Sequence, residues 1–185
     1  MKNKVRLACS YYQSNQGDLF EEFIQFLRIP SISTVEVHKQ DIQEAADFLV
    51  NKLKQIGLTQ VQAIPTPRHP IVYGEYIVDS QKPILLLYGH YDVQPPDPLD
   101  KWETAPFEPR LNGQYVYARG ASDMKGQVWA LISALEAILS TSEVSVNVKI
   151  LIEGEEEIGS PSLKSFLVDN KQRLACDVVL NTDGG

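Results

Sequence analysis

The sequence predicts an α/β domain of three layers, in which helices cover both faces of a central mixed, largely parallel sheet. Helices and strands alternate along the second half of the chain, and that order is typical of layered α/β domains. Residues 84–88 read ILLLY and are apolar on both faces, as expected for a strand in the middle of such a sheet. With 185 residues, 43% of them hydrophobic, the chain is long enough for one domain with a buried core.

Two helices are predicted before the first strand. Asp18 followed by Glu21 matches the capping-box pattern, and apolar residues then recur at helical spacing up to a proline, so the first helix is predicted to begin at Asp18. The preceding residues 1–17 are polar and irregular, and we expect a loose N-terminal arm there. The second helix is predicted over residues 41–56, with Gly57 as the residue that ends it.

The remaining elements follow from short apolar or β-branched runs bounded by turn residues. Strands are predicted at residues 60–64, 71–78, 84–88, 115–118, 144–152 and 177–180. Helices are predicted at 125–140 and at 160–168, the second with Ser160 as N-cap and Pro161 in its first turn. Residues 94–109 are rich in Pro and Asp but contain large aromatic residues, so we expect an ordered loop rather than a flexible linker.

Composition and charge exclude several functional classes. The chain carries 17 Lys and Arg against 24 Asp and Glu, a net charge of −7, and it lacks the clustered basic residues that nucleic-acid binding requires. No apolar run approaches the ~18 residues of a membrane span, and no apolar stretch follows the basic N-terminus as in a signal peptide. We therefore expect a cytoplasmic protein that binds neither nucleic acid nor membrane, with Cys9 and Cys176 as reduced thiols.

Acidic residues and one histidine stand where predicted strands end or a helix begins. They are His90 and Asp92 in GHYDVQP, Asp123 in RGASDMKG, Glu156 and Glu157 in EGEEEIGS, and Asp183 in NTDGG. Each has an ordinary structural explanation alone: a hydrogen-bonded strand-end histidine, a helix N-cap, a solvated acidic turn and a turn aspartate. Because ligand sites of α/β sheets lie beyond the carboxyl ends of the strands, we expect all of them to collect at one sheet edge.

The residue types in this set are those of a metal centre. Clustered carboxylates repel one another unless a cation is present, and hard oxygens with one imidazole suit Zn²⁺, Mn²⁺ or Co²⁺ better than metals that prefer thiolates. Adjacent glutamates at a strand end diverge, so one can bind metal while its neighbour takes a proton from water. The pattern favours a metal hydrolase. The GxSxG, GxxxxGK[ST] and GxGxxG motifs of other enzyme classes do not occur in the sequence.

At these residues the chain resembles a known family, the di-zinc metallopeptidases that include carnosinase, cytosolic non-specific dipeptidase, aminoacylase-1, carboxypeptidase G and succinyl-diaminopimelate desuccinylase. The resemblance rests on GHYDVQP, WETAPFEPRLNGQYVYARGASDMKGQ, EGEEEIGS and NTDG in that order, and it covers about residues 18–185. The DVQP and W…PF segments resemble the dipeptidase and carnosinase branch. The resemblance implies the zinc exopeptidase catalytic fold and hydrolysis of peptide bonds in dipeptides or short peptides.

The resemblance also implies a role for each residue of the set. The implied zinc ligands are His90, Asp123, Glu157 and Asp183, with Asp123 shared by both ions of a two-zinc site. Asp92 orients His90, and Glu156 is the general base that acts on the metal-bridging water. The bond between Asp123 and Met124 is expected to be cis. Mn²⁺ and Co²⁺ are alternatives to Zn²⁺ because they accept the same ligands.

The family has one more histidine, a ligand to the second zinc that lies beyond an inserted domain, and neither His38 nor His69 matches it. We therefore expect residues 18–185 to be the N-terminal portion of a catalytic domain, without the dimerisation or lid domain and the C-terminal catalytic portion. The full-length form is expected to be a homodimer. Two hypotheses follow: a metal-dependent peptidase acting on a small peptide substrate, or a truncated non-catalytic fragment that binds one metal or serves only as a folding or interaction unit.

Overall fold

The computed structural model describes residues 2–142 and 144–184, which form a layered α/β domain. The helices are α1 (Lys2–Arg28), α2 (Lys39–Gln55), α3 (Lys125–Thr141) and α4 (Leu163–Asp169). The strands are β1 (Thr59–Ile64), β2 (Ile71–Tyr76), β3 (Ile84–His90), β4 (Arg110–Asn112), β5 (Tyr115–Tyr117), β6 (Asn147–Glu153) and β7 (Val178–Asn181). Short 3₁₀ turns occupy residues 36–38, 99–101 and 156–158.

Five of these strands form the central sheet, in the order β1-β2-β6-β3-β7. β2 is antiparallel to both of its neighbours, whereas β3 is parallel to β6 and to β7. The predicted mixed sheet is confirmed, and its parallel part is the part that ends beside the acidic motifs. In register, His90 lies opposite Glu153, and Tyr88 lies opposite Asn181. The carboxyl ends of β6, β3 and β7 therefore meet at one edge.

Helices cover both faces of this sheet, as predicted. On one face α1, α2 and α3 pack onto alternate strand residues, and the core there includes the buried Phe26, Leu49, Ile132 and Ile150. On the other face the intervening strand residues pack with Phe166 of α4. Every residue of β6 is buried, because this strand has a paired neighbour on each side and a packed layer on each face.

The N-terminal segment departs from its prediction. Residues 2–17, expected to be a loose arm, belong to α1, and Asp18 lies inside that helix instead of capping it. The capping-box pattern is a local signal, and packing against α3 overrides it: the Tyr11 hydroxyl donates to Glu136 at 3.1 Å, and the Trp129 indole donates to the Leu19 carbonyl at 2.8 Å. α1 and α3 thus lie side by side along most of the length of α3.

Two smaller predictions are also corrected. α4 begins at Leu163 rather than at Ser160, which has φ +49° and donates its backbone N–H to the Glu155 carbonyl at 2.8 Å. That bond makes Ser160 the end of the acidic turn rather than the cap of a helix. Strand β4, which was not predicted, pairs with β5 across a turn at Gly113, where φ is +63°.

The segment 94–109 is an ordered loop, in agreement with its prediction. The Trp102 indole donates to the Pro96 carbonyl at 2.7 Å, and the Arg119 guanidinium donates to the Pro95 carbonyl at 3.1 Å. The same guanidinium lies 5.5 Å from the centre of the Trp102 ring. Cys9 and Cys176 are both free thiols. Among the described helices, none combines the length and apolar character that crossing a bilayer requires.

β7 forms one edge of the sheet and exposes apolar side chains there. Val178, Val179 and Leu180 are 58%, 56% and 40% exposed. An apolar edge strand offers unpaired backbone groups to other chains. We expect the 185-residue chain to self-associate with rising concentration, and Val179→Lys to shift it towards monomer, as measured by sedimentation velocity. Equal sedimentation of both proteins as monomers at high concentration would contradict this expectation.

Candidate metal centre

His90 is the last residue of β3 and is completely buried. Its Nδ1 lies 3.0 Å from the carbonyl oxygen of Asp92 and 3.4 Å from the Asp92 carboxylate. Both of these oxygens are acceptors, so Nδ1 carries a proton and Nε2 points the other way. Nε2 is buried and has no hydrogen-bond partner among the described residues. An unpartnered buried ring nitrogen of this kind is available to a metal ion.

Carboxylates surround this Nε2. The nearest is Asp123 Oδ1 at 3.2 Å, followed by Glu156 Oε2 at 3.8 Å and Asp183 Oδ2 at 3.9 Å. Glu157 joins them, since one ligand atom each from His90, Asp123 and Glu157 all lie within 4.8 Å of one another. The structure thus brings together every residue of the predicted cluster, although this closeness does not by itself assign their roles.

Asp92 lies behind this cluster and is fully buried. Its Oδ1 accepts the backbone N–H of Glu156 at 3.2 Å, and its Oδ2 accepts that of Glu157 at 3.0 Å. β3 ends at His90, so Asp92 does not continue the strand, and its carbonyl makes the shorter contact to His90. Asp92 therefore supports the cluster in two ways, by contacting Nδ1 of the imidazole and by holding the turn that carries both glutamates.

Asp123 precedes α3, and its exposed side chain lies beside His90. Asp123 is not the N-cap of α3. Met124 occupies that position, and its side chain does not cap the helix. The peptide bond between Asp123 and Met124 is cis, as the resemblance implied. The neighbouring Lys125 is completely buried and donates to the carbonyls of Phe26 at 2.9 Å and Ile29 at 2.7 Å, so the start of α3 is tied to the end of α1.

The four glutamates at the end of β6 and in the turn after it divide into two pairs. Glu153 and Glu155 are buried, at 1% and 2% exposure, whereas Glu156 and Glu157 are partly exposed beside His90. Glu153 accepts hydrogen bonds from the hydroxyls of Tyr88 and Ser160. A uniformly solvated acidic turn is therefore excluded, because half of its carboxylates are inside the fold.

Two residues near the cluster, Gln94 and Glu155, were given no role by the sequence analysis. Gln94 donates its side-chain amide to Glu157 Oε2 at 2.8 Å and so orients that carboxylate. Glu155 accepts hydrogen bonds from Thr66, His69 and Ser162. Burial by itself would raise the pKa of Glu155, but these hydrogen bonds outweigh burial and place the pKa below its ordinary value. The sequence gives no local signal for these contacts. Gln94 is far from Glu157 along the chain, and Thr66 and His69 are far from Glu155.

The electrostatics of the cluster favour a cation. Burial alone would lower the pKa of His90, but the adjacent Asp92 carboxylate and, more weakly, Glu156 raise it to about 9. Burial raises the pKa of Glu157, and repulsion from Asp123 adds to that increase. The increased pKa values of His90 and Glu157 share one cause, because negative charge is concentrated in a partly dehydrated space. A divalent cation at this position relieves that repulsion.

The residues fit a divalent metal ion. Four-coordinate zinc with bonds of about 2.0–2.2 Å holds its ligand atoms roughly 3.3–3.6 Å apart. The distances of 3.2 Å from His90 Nε2 to Asp123 and 3.9 Å to Asp183 bracket that range. Among the described residues, His90, Asp123 and Glu157 are the only group of three or more His, Cys, Asp or Glu whose ligand atoms all lie within 4.8 Å of one another. His38 and His69 lie elsewhere, bonded to Asp41 and to the Ser33 carbonyl.

Comparison with known protein families identifies the family of this chain. Residues 86–184 match the model of peptidase family M20/M25/M40. The chain belongs to this family. The match covers all four motifs, together with the loop at residues 94–109, so the resemblance drawn from those motifs is confirmed.

Individual M20 relatives agree with this assignment. The chain is 35% identical over 174 residues to the Cys-Gly metallodipeptidase DUG1 of Candida albicans, covering 84% of the chain and 36% of that protein. The crystal structure of human carnosine dipeptidase 1 superposes with a TM-score of 0.90 at 28% identity, over 97% of the chain and 41% of that protein. The M20 family metallo-carboxypeptidase Sso-CP2 from Sulfolobus solfataricus gives 0.82 at 40% identity, over 90% of the chain and 37% of that protein. The chain therefore spans well under half of these relatives.

Proposed function

We propose that the whole protein containing this chain hydrolyses the peptide bond of dipeptides or short peptides with the help of divalent metal ions. The single observation that carries the proposal is the buried, unpartnered Nε2 of His90, which faces carboxylates at the carboxyl ends of the parallel strands. Peptide substrates are supported by the dipeptidases among the M20 relatives. A cytoplasmic location and a homodimeric whole protein belong to the same proposal.

The proposed ligand assignment is the one that the resemblance implies. His90, Asp123 and Asp183 would hold one ion, while Asp123 and Glu157 would contribute to a second. The oxygen-rich set with one imidazole favours Zn²⁺, with Mn²⁺ or Co²⁺ as alternatives. When bound, such ions polarise the scissile carbonyl and lower the pKa of water.

Glu156 is the proposed general base. Its Oε2 lies 3.8 Å from His90 Nε2, and the side chain is 40% exposed, so it faces the metal ligands yet remains reachable by substrate. Its Oε2 takes a proton from the attacking water and returns it to the leaving amine. Asp92 keeps Glu156 in place through the backbone N–H and keeps the Nδ1 proton of His90 directed away from the metal side.

A second candidate applies to the 185-residue chain by itself. The described cluster contains one imidazole, and the second ion has only Asp123 and Glu157 as ligands within it. On this basis the chain is the N-terminal portion of a catalytic domain, a fragment that binds one metal ion weakly without turning over peptides. Elemental analysis of the chain should then find at most about one zinc, and two firmly held zincs would contradict this candidate.

Metal removal tests the proposed peptidase function. Dialysis of the whole protein against a chelator should reduce dipeptide hydrolysis by at least about 100-fold, because metal ions supply several kcal/mol of transition-state stabilisation. Added Zn²⁺ should restore it. The matched variants are His90→Ala, which zinc should not restore, and His38→Ala, which should behave as the unaltered protein because His38 pairs with Asp41 outside the cluster. Hydrolysis that survives complete removal of metal would rule out the proposal.

A further inference from the structure

Glu155 anchors the turn that carries Glu156 and Glu157 to two other segments of the chain. This carboxylate is 2% exposed. Its Oε1 accepts the Thr66 hydroxyl at 2.7 Å and the backbone N–H of His69 at 2.9 Å. Its Oε2 accepts the backbone N–H of Ser162 at 2.9 Å. Glu155 thus joins the loop between β1 and β2 to the residues that lead into α4.

The donors around Glu155 require a carboxylate rather than an amide. Both oxygens face backbone or hydroxyl donors, and the described ion pairs include none to Glu155. In a glutamine at this position, one end of the side chain would be an NH₂ group facing an N–H donor, and that donor would remain unsatisfied. The negative charge is therefore held by directed neutral donors, which fix its position in space.

The same residue closes the turn through its main chain. The Glu155 carbonyl accepts the backbone N–H of Ile158 at 3.2 Å and of Ser160 at 2.8 Å. Asp92 accepts the N–H groups of Glu156 and Glu157 in the same turn. Two buried carboxylate residues therefore hold the turn, Asp92 through its side chain and Glu155 through its main chain.

We propose that Glu155 is a positioning residue that sets the placement of the Glu156 carboxylate relative to His90 and the metal ligands. This inference rests on the proposed peptidase function. Glu155 does not touch the cluster; it acts through the backbone of the turn, while Thr66 and His69 extend the supporting contacts to the loop between β1 and β2. Supporting contacts of this kind change activity or metal affinity by about ten- to a hundredfold when removed.

The competing explanation is that Glu155 stabilises the fold without influencing catalysis. The two explanations differ in which part of the domain changes when Glu155 is replaced. Loss of a positioning residue loosens residues 156–160 selectively and lowers kcat, whereas loss of a merely stabilising residue affects the whole domain.

The test compares Glu155→Gln with Glu136→Gln. Glu136 is a largely buried carboxylate of α3 that pairs with Lys52, so its replacement disturbs the helical layer without contacting the turn. Hydrogen exchange in the 185-residue chain should be at least about tenfold faster for the amides of residues 156–160 in Glu155→Gln. In Glu136→Gln, the faster exchange should be confined to the helices or spread over the whole domain.

Kinetics on the zinc-loaded whole protein complete the test. Glu155→Gln should lower kcat about ten- to a hundredfold with KM nearly unchanged, and Glu136→Gln should leave kcat unchanged. Thr66→Val removes a single donor to Oε1 and should show the same pattern more weakly, which keeps the test decisive if Glu155→Gln does not fold. Suppose that the unaltered whole protein is active but the Glu155 or Thr66 variant has the same kcat and exchange pattern as Glu136→Gln. That result overturns the positioning role of Glu155 and leaves the proposed peptidase function standing. Absence of peptidase activity in the unaltered whole protein overturns the proposed function.

Discussion

Replacing Glu156 by Gln should lower kcat for dipeptide hydrolysis by about 10²- to 10⁴-fold, the range typical of a lost general base. Glutamine preserves the size of the side chain and the backbone N–H that Asp92 accepts, so the turn keeps its position. What is lost is the oxygen that takes the proton. Because Glu156 is not assigned as a metal ligand, the variant should retain the metal content of the unaltered protein.

Steady-state kinetics and elemental analysis of the same protein samples check this prediction. Glu108→Gln is a suitable control, since Glu108 is a surface residue, 69% exposed, whose carboxylate lies 3.6 Å from Arg28 and away from the cluster. The control should retain full activity. If Glu156→Gln keeps its turnover, Glu156 is not the general base. If the variant loses metal together with activity, Glu156 is a metal ligand instead.

Most elements of the fold could be predicted because their signals are local. The apolar 84–88 run, the β-branched segment before Glu153 and the helix that follows Asp123 all lie close to their predicted positions. α1 was predicted incorrectly because the signal at Asp18 was also local, whereas the helix is extended by contacts with α3 that are more than a hundred residues distant in sequence. Such contacts have no counterpart in the pattern of neighbouring residues.

The candidate site could be predicted as a set of residues but not as an arrangement. Strand ends indicated His90 and Asp183, and a helix start indicated Asp123. The pairing of β3 with β7, which brings His90 near Asp183, has no counterpart in any local pattern. Similarly, the sequence EGEEE at residues 153–157 does not indicate which of its four glutamates are buried. Glu153 and Glu155 are buried because donors from distant segments reach them, among them Tyr88 and Thr66.

Lys52 ties the three helices of one layer together, and its removal should be among the most destabilising single changes in this chain. It is 4% exposed and lies 2.5 Å from Glu22 of α1 and 2.7 Å from Glu136 of α3. Its Nζ is also 5.4 Å from the centre of the Trp129 ring. Burial alone would lower the pKa of Lys52, but the two carboxylates outweigh burial and raise the pKa, so the side chain remains charged.

Lys52→Met should therefore lower the free energy of unfolding by roughly 3 kcal/mol, the lower end for a broken buried ion pair, because Glu22 stays partly in contact with solvent. The damage comes from two carboxylates left without a cation rather than from the lost methylene packing, which methionine largely preserves. The triple variant Lys52→Met, Glu22→Gln, Glu136→Gln should consequently recover most of the loss. Urea unfolding of the three proteins measures both effects. If the triple variant is as unstable as Lys52→Met, then uncompensated charge is not the cause, and the stability of this layer depends on the shape of the lysine side chain instead.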